Sequence, residues 1–209
     1  MAIDTYSNLK TSIANYLNRS DLTAYLGDFI TLTEARLNRE LRVREMVNSD
    51  TSTTTVTGTQ SYALPTGYIE ATTVIFQSDP YCTLKFINNS DFYNKYNASQ
   101  SRGKPTFFTI LGTNILLGVA PDSASTLQIN YYKKLDTLSD SNTTNTILTN
   151  YPELYLYGAL AESAPFIMQD ERINTWGALY KEALKNANES SSRGSTTTSP
   201  LQMSTPQVA

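Results

Sequence analysis

Carboxylates are the main residues that could carry chemistry in this chain, because the sequence contains no histidine. Without imidazole, Ser-His-Asp and Cys-His catalysis and histidine-bound metal sites are excluded. Asp170 and Glu171 are consecutive at the expected start of a helix, where capping explains them better than catalysis does. Glu153 and Glu162 stand nine residues apart, on opposite faces of a helix. We therefore expect no enzyme activity, no metal and no cofactor.

The remaining reactive groups are sparse. Cys82 is the single cysteine, and with no histidine to pair with it we interpret it as a small apolar residue in a strand. The glycines are scattered, and neither the dinucleotide-binding nor the P-loop glycine motif occurs. The sequence therefore indicates no phosphate-binding loop.

The composition is that of an ordered protein that does not bind nucleic acid tightly. Of the 209 residues, 40% are hydrophobic and 17% charged, enough for a sizeable core. The net charge is −3, whereas tight phosphate binding usually needs a basic surplus. The start of the chain lacks a basic stretch followed by an apolar one, and no apolar run approaches the roughly 18 residues of a membrane span. We expect a soluble protein without a signal peptide or membrane contact.

Helical periodicity marks both ends of the chain. Apolar residues recur at three- and four-residue steps over Thr5–Asn18, and Asp21 is a plausible N-cap for a second helix over Leu22–Met46. Near the other end, the pattern predicts helices over Tyr151–Met168 and Asp170–Asn188. Trp176 lies on the apolar stripe of the last helix, which favours core packing over a ligand platform.

The second predicted helix carries a mixed-sign band of charges. It contains four arginines and no lysine between Arg36 and Arg44, and Glu40 stands four residues before Arg44, at the spacing of a helical ion pair. Two interpretations remain open. The band is either a solvated face or a subunit interface, where arginine is enriched. The candidate interface residues are Arg36, Arg39, Arg42 and Arg44.

The middle of the chain has the signals of β-structure. Strands are predicted over Thr51–Thr57, Ala71–Gln77, Tyr81–Ile87 and Thr126–Lys133, together with a hairpin of Thr106–Leu111 and Ile115–Val119. A short helix over Asp91–Tyr96, capped by Ser90, is expected to cross the sheet. We expect a small antiparallel sheet or sandwich.

These patterns predict an α+β protein. Residues 1–48 and 150–189 are expected to form an antiparallel helical bundle, into which residues 49–149 are inserted as a β domain. Residues 190–209, from Ser190 to Ala209, lack periodicity and are too polar to build a core. They are either a frayed terminus or an extended arm that orders on a partner, and we favour the arm.

Several stretches of the sequence, taken in this order, resemble those of a known protein family. They are Gly103-Lys104-Pro105, Phe108–Pro121 (FTILGTNILLGVAP), Ile129–Tyr132 (INYY), Tyr151–Ala164 (YPELYLYGALAESA) and a final helix that bears the tryptophan. Over about Thr5–Asn188 the chain resembles the head-to-tail adaptor, or connector, proteins of tailed bacteriophages, including the podovirus tail tubular protein A type. It departs from them in having only Pro121 where a second proline often follows the hairpin.

The resemblance implies a structural protein of the virion, assembled in the host bacterial cytoplasm. It implies a ring of twelve copies that docks under the portal protein and receives the tail or nozzle protein on its far side. The arm residues implied to dock on the portal are Ser199, Pro200, Leu201, Gln202 and Met203. Genome DNA would pass through the ring without specific binding, and twelve copies at −3 give a charge of about −36 that repels phosphate.

A second function class remains open, a carbohydrate-binding or adhesin module. The 14 tyrosines and the threonine-rich β block favour it. The large helical share of the chain and the position of Trp176 on a helix stripe oppose it. We therefore favour the adaptor.

Overall fold

The computed structural model describes residues 3–19, 21–96, 102–167 and 172–196. The fold is mixed α+β, as the sequence predicts. The chain divides into two compact units. The helical unit consists of Met1–Glu45 and Leu135–Ala209, and the β unit consists of Met46–Lys134.

Six α-helices lie within the described residues. Five belong to the helical unit and one to the β unit. They are α1 Tyr6–Leu17, α2 Leu26–Glu40, α3 Asn89–Lys95, α4 Thr146–Asn150, α5 Pro152–Glu162 and α6 Arg172–Thr196. Short 3-10 turns cover Thr23–Tyr25, Arg44–Met46 and Ala164–Phe166.

Helix α5 lies at the centre of the helical unit and packs against α1, α2 and α6. Its sequence, PELYLYGALAE, is apolar on nearly every face, which suits a helix surrounded by others. Gly158 lets α2 approach closely, since a Cβ atom there would lie only 2.4 Å from Cγ2 of Thr33. The absence of a side chain at this position therefore sets the spacing of α2 and α5.

The ends of the first helices differ partly from the sequence-based expectations. Thr5 caps α1 by accepting a hydrogen bond from the Asn8 backbone N–H at 3.3 Å. Asp21 does not cap α2, so that prediction is wrong; its carboxylate pairs instead with Arg19 at 2.6 Å. Helix α2 begins at Leu26 after a 3-10 turn and ends at Glu40, six residues before the predicted end at Met46.

Helix α6 continues to Thr196, beyond its predicted end at Asn188. Its side chains fix the extended segment that follows α2: the Arg42 N–H donates to Asn188 Oδ1 at 2.8 Å, and the Arg44 N–H donates to Ser191 Oγ at 2.8 Å. Residues 190–196 are therefore helical, and the expectation of an extended arm is wrong for them. The rest of the predicted arm, from residue 197 onward, lies outside the described residues.

The β unit contains seven strands that join in the order β1-β7-β3-β4-β5-β6-β2. Their bounds are β1 Val47–Thr54, β2 Ser61–Ala63, β3 Tyr68–Gln77, β4 Cys82–Phe86, β5 Phe107–Leu111, β6 Asn114–Leu117 and β7 Thr126–Lys133. The predicted strand over Thr126–Lys133 and the hairpin around Gly112 are confirmed. Gly112 has φ 60°, a conformation that glycine adopts without strain. Strand β2 was not predicted.

One strand pair departs from the predicted antiparallel sheet. β4 and β5 run parallel, with Lys85 opposite Phe107 and Phe86 opposite Phe108. A parallel pair needs a crossover, and α3 lies in that connection. The cap of α3 is Asn88 rather than Ser90, because the Asn88 side chain accepts from the Asp91 N–H at 2.8 Å.

The core of the β unit lies on one face of the sheet. It is built from alternate residues of several strands, as the two-residue period of a strand requires. The most buried members are Val74, Phe76, Ile115, Leu117, Leu127 and Ile129.

Candidate functional site

The residues considered for chemistry do not form a catalytic centre within the described part of the chain. Glu162 points to α2, where it pairs with Arg36 at 3.4 Å. The Cys82 thiol is partly buried, with the Thr83 carbonyl 3.9 Å away. In the same described part, no group of three or more acidic or cysteine side chains could hold a metal. Asp170 and Glu171 lie outside the described residues.

Arg36 joins three helices within the chain. Its Nε donates to Glu40 at 3.2 Å, its guanidinium reaches Glu162 on α5, and it lies 4.3 Å from the centre of the Tyr180 ring on α6. The Tyr180 hydroxyl closes the network by donating to Glu40 at 3.3 Å. Partial burial lowers the pKa of Arg36, but Glu40, Tyr180 and Glu162 together raise it above its ordinary value. Arg36 therefore stabilises the helical unit and remains charged.

Arg42 also bonds within the chain. Its guanidinium donates to the carbonyls of Leu41 at 2.7 Å and Asn38 at 3.2 Å, at the C-terminal end of α2. These contacts satisfy carbonyls that the end of the helix leaves without helical partners. The side chain thus stabilises the point at which α2 stops.

Arg39 and Arg44 are the exposed members of the four arginines. The predicted Glu40–Arg44 ion pair is wrong: α2 ends at Glu40, so Arg44 is not one helical turn further on. Glu40 pairs instead with Arg36, and Arg44 pairs with Glu45 at 3.2 Å. The Arg44 side chain keeps 74% of its surface exposed, and these two arginines are the ones available to a partner.

An exposed apolar residue lies on the same face of α2 as Arg39. Leu32 is 51% exposed, and it precedes Arg39 by seven residues, or two helical turns. Ala35 lies between them on this face and is also exposed. We call Leu32, Ala35 and Arg39 the α2 face. Sequence reasoning missed it, although Leu32 stands out as the leucine of this helix that does not fit the buried stripe.

Glu34 also belongs to the mixed-sign charge band of the second predicted helix, but it is buried, with 4% of its surface exposed. Its Oε1 accepts from the Leu138 N–H at 2.8 Å and from the Tyr155 hydroxyl at 3.4 Å. One turn later, Asn38 Oδ1 accepts from the Leu135 N–H at 2.9 Å. These two side chains attach the returning segment 135–138 to α2, a role visible only in three dimensions.

Tyr155 completes this buried cluster at the centre of the helical unit. Its ring is fully buried, and its hydroxyl accepts from the Asn145 side-chain amide at 2.7 Å. Burial is the main cause that raises the pKa of Tyr155 above its ordinary value, with a further contribution from the Glu34 carboxylate. The hydroxyl therefore stays protonated and serves as a hydrogen-bond donor.

Phe166 forms a partly exposed aromatic cluster with Tyr25 and Phe29 on the helical unit. Phe166 is 46% exposed and lies 5.3 Å from Tyr25 and 5.1 Å from Phe29, measured between ring centres. Trp176, in contrast, is only 5% exposed, which confirms its predicted place in the core. The tryptophan thus does not provide the exposed platform that a sugar-binding module uses.

The predicted portal-binding residues, Ser199, Pro200, Leu201, Gln202 and Met203, lie outside the described residues. None of the described helices is long and apolar enough to cross a membrane.

Comparison with known proteins gives one family. The model of the SU10 adaptor protein family matches residues 4–204. No curated protein matches the chain. The match covers both units and nearly the whole sequence, so this protein belongs to the SU10 adaptor protein family.

Proposed function

We propose that this protein, a structural adaptor of a phage, forms the head-to-tail adaptor ring that docks under the portal. The observation that carries the proposal is the family match over residues 4–204. In this proposal α1, α2, α5 and α6 form the helical bundle of each protomer, and the β unit is its inserted domain. The ring belongs to the virion at the head–tail interface and is assembled in the cytoplasm of the host bacterium.

The proposed contact between protomers uses the α2 face together with Arg44. Arginine is enriched at protein interfaces, where its guanidinium pairs with carboxylates, and the exposed apolar side chain of Leu32 beside it would be removed from water by such a contact. Arg36 and Arg42, the other two candidates, would act indirectly by holding α2 and the segment after it in place. Twelve copies would close the ring, as the resemblance to phage connectors implies.

The proposed contact with the portal uses the C-terminal segment, by which we mean residues 197–209. Its 13 residues span at most about 43–47 Å when extended, enough to reach well beyond the protomer. Leu201 and Met203 are its aliphatic anchors, between Ser199-Pro200 and a second proline, Pro206. The tail or nozzle protein would bind on the opposite side of the ring.

The charge of the protein suits a channel through which DNA passes. Each chain carries −3, and twelve chains carry about −36, so the ring as a whole repels the phosphate backbone. Genome DNA would therefore cross the ring without specific binding.

The portal contact is tested by measuring the affinity of the full chain for the portal protein of the same virion. Changing Leu201→Asp together with Met203→Asp is expected to weaken binding by at least tenfold, because two anchors become charged. The matched control is Thr197→Asp with Thr198→Asp, which adds the same charge to the same segment away from the anchors. Equal affinities of the two double variants would contradict the proposed arm contact.

A further inference from the structure

A polar cleft lies at one end of the sheet of the β unit, where β3 ends and β7 begins. It has a volume of about 430 Å³, which is enough for a small organic molecule. Phe76 is its buried apolar member, and all the other lining residues are polar: Gln77, Ser78, Asp79, Lys104, Asp122, Ser123 and Ser125. The cleft therefore suits a ligand that forms many hydrogen bonds.

The loop before β7 forms one side of the cleft and is held by the segment that follows β1. The buried Thr55 hydroxyl donates to the Ser125 carbonyl at 3.0 Å and accepts from the Ser125 N–H at 3.0 Å. At the start of the same loop, the Gly58 N–H donates to the Pro121 carbonyl at 2.9 Å. This side of the cleft is therefore fixed before a ligand arrives, which lowers the entropic cost of binding.

The turn at residues 78–80 forms another side of the cleft and is fixed as well. The Ser78 N–H donates to the Phe76 carbonyl at 2.9 Å, and the Ser78 hydroxyl donates to the Pro80 carbonyl at 3.1 Å. The Lys104 ammonium also donates to the Pro80 carbonyl. These contacts fix the backbone that carries Asp79.

Tyr81 follows this turn directly and offers an exposed aromatic ring. With 73% of its surface exposed, it is the most exposed of the large apolar and aromatic side chains in the described part of the chain. The face of an aromatic ring carries partial negative charge, so it attracts the C–H groups on the apolar face of a sugar ring. Tyr81 thus supplies the exposed platform that the buried Trp176 does not.

The charges of the cleft favour an uncharged ligand that is rich in hydroxyl groups. The carboxylates of Asp79 and Asp122 accept hydrogen bonds, while the serine hydroxyls can donate or accept them. Neighbouring hydroxyl groups of a saccharide can donate to both oxygens of one carboxylate. Two carboxylates and the Lys104 ammonium leave a formal charge of −1, which repels acidic saccharides.

We propose that this cleft binds a neutral saccharide, with Asp79 and Asp122 accepting from its hydroxyl groups and Tyr81 covering one face of its ring. The inference goes beyond the adaptor function and does not depend on it, because every group that it uses lies in the β unit of one chain. Carbohydrate binding, the second function class considered from the sequence, is then an additional property of the β unit and not the function of the whole chain.

The test begins with an array of bacterial surface saccharides, probed with the fluorescently labelled full chain. At least one neutral saccharide is expected to bind, and the affinity for that oligosaccharide in free form is then measured by NMR titration. Asp79→Asn with Asp122→Asn keeps the size of both side chains and should weaken binding by about tenfold or more, because the charged acceptors are lost. Tyr81→Ala should weaken it by about fivefold or more through loss of the ring contact.

The matched control is Tyr93→Ala. Tyr93 is also an exposed tyrosine of the β unit, with 55% of its surface exposed, but it does not line the cleft. Its replacement should leave the affinity within about twofold.

Three results would each overturn the inference. They are the absence of any bound saccharide on the array, binding of acidic saccharides alone, and equal effects of Tyr81→Ala and Tyr93→Ala. None of these measurements involves the portal, so the adaptor function is tested separately.

Discussion

A methyl group at position 158 has no space between α5 and α2. A Cβ atom there would lie 2.4 Å from Cγ2 of Thr33 and 3.3 Å from Cε2 of Tyr180, and the first contact is too short to exist without movement of the helices. Overpacking costs about 1–3 kcal/mol, and a contact this short belongs in the upper part of that range, about 2–3 kcal/mol, while Gly→Ala in a helix returns about 1 kcal/mol. Gly158→Ala should therefore lower the free energy of unfolding by about 1–2 kcal/mol.

Thermal unfolding followed by circular dichroism measures this effect. For a chain of this size, a loss of about 1–2 kcal/mol lowers Tm by about 2–8 °C. Gly177→Ala on α6 is the matched control, since no atom lies within 4 Å of its added Cβ. It should raise Tm by about 1–4 °C through helix propensity alone.

A second variant tests the cause. Thr33→Ser removes Cγ2 but keeps the hydroxyl that donates to the Phe29 carbonyl at 2.8 Å. Combined with Gly158→Ala, it should restore part of the lost stability. The reasoning is refuted if Gly158→Ala is as stable as Gly177→Ala, or if Thr33→Ser makes no difference in the Gly158→Ala background.

Three further outcomes are expected. The double variant Arg39→Glu with Arg44→Glu should change the free energy of unfolding by no more than about 0.5 kcal/mol per site, but it should weaken ring formation, measured by mass photometry. Unaltered rings would show that both arginines belong to a solvated surface. Ending the chain at Thr196 should leave Tm, measured by calorimetry, unchanged. Ending it at Ser190 should lower Tm, because Ser191 of α6, which accepts from the Arg44 N–H, is lost. Equal Tm values for the two truncated chains would contradict this. Burial raises the pKa of Tyr155 in the folded state above its unfolded value of about 10, so its contribution to stability is complete below that pH and is lost as pH rises through and beyond it. Between pH 10 and 11.5 in urea titrations, Tyr155→Phe should therefore lose stability less steeply with pH than the natural chain, by up to about 1.4 kcal/mol per pH unit, and parallel slopes would refute this.

Local patterns predict much of this fold. The strand over Thr126–Lys133 alternates partly buried and buried residues as far as Tyr131, and its predicted bounds match β7. Helix α1 follows its apolar stripe, with Leu9, Ile13 and Leu17 buried. In both elements the signal lies within the element itself, so the sequence is sufficient.

Elements fixed by distant residues could not be predicted in this way. The end of α2 is an example: Leu41 and Val43 are buried, while the N–H groups of Arg42 and Arg44 bond to α6 side chains nearly 150 residues later. Charge and helix propensity alone extend the helix through this segment. The parallel pairing of β4 and β5 is likewise set by partners that a linear pattern does not show.

The candidate site, too, could be predicted only in part from local sequence patterns. Four arginines at close spacing are compatible with a solvated face or an interaction surface, and the structure shows that Arg36 and Arg42 bond to other parts of the chain while Arg39 and Arg44 are exposed. The buried role of Glu34 depends on the Leu138 N–H, which lies 104 residues away in sequence. The sequence therefore identifies the charged region of the second helix, but only the structure shows what each of its side chains contacts.

Electron microscopy of the full chain mixed with the portal protein of its virion tests the adaptor function most directly. We predict an additional ring of twelve copies on one face of the portal, coaxial with its channel. Portal particles without added density, at protein concentrations in the micromolar range where adaptor contacts of ordinary affinity are saturated, would contradict the assignment of this protein to the head–tail junction.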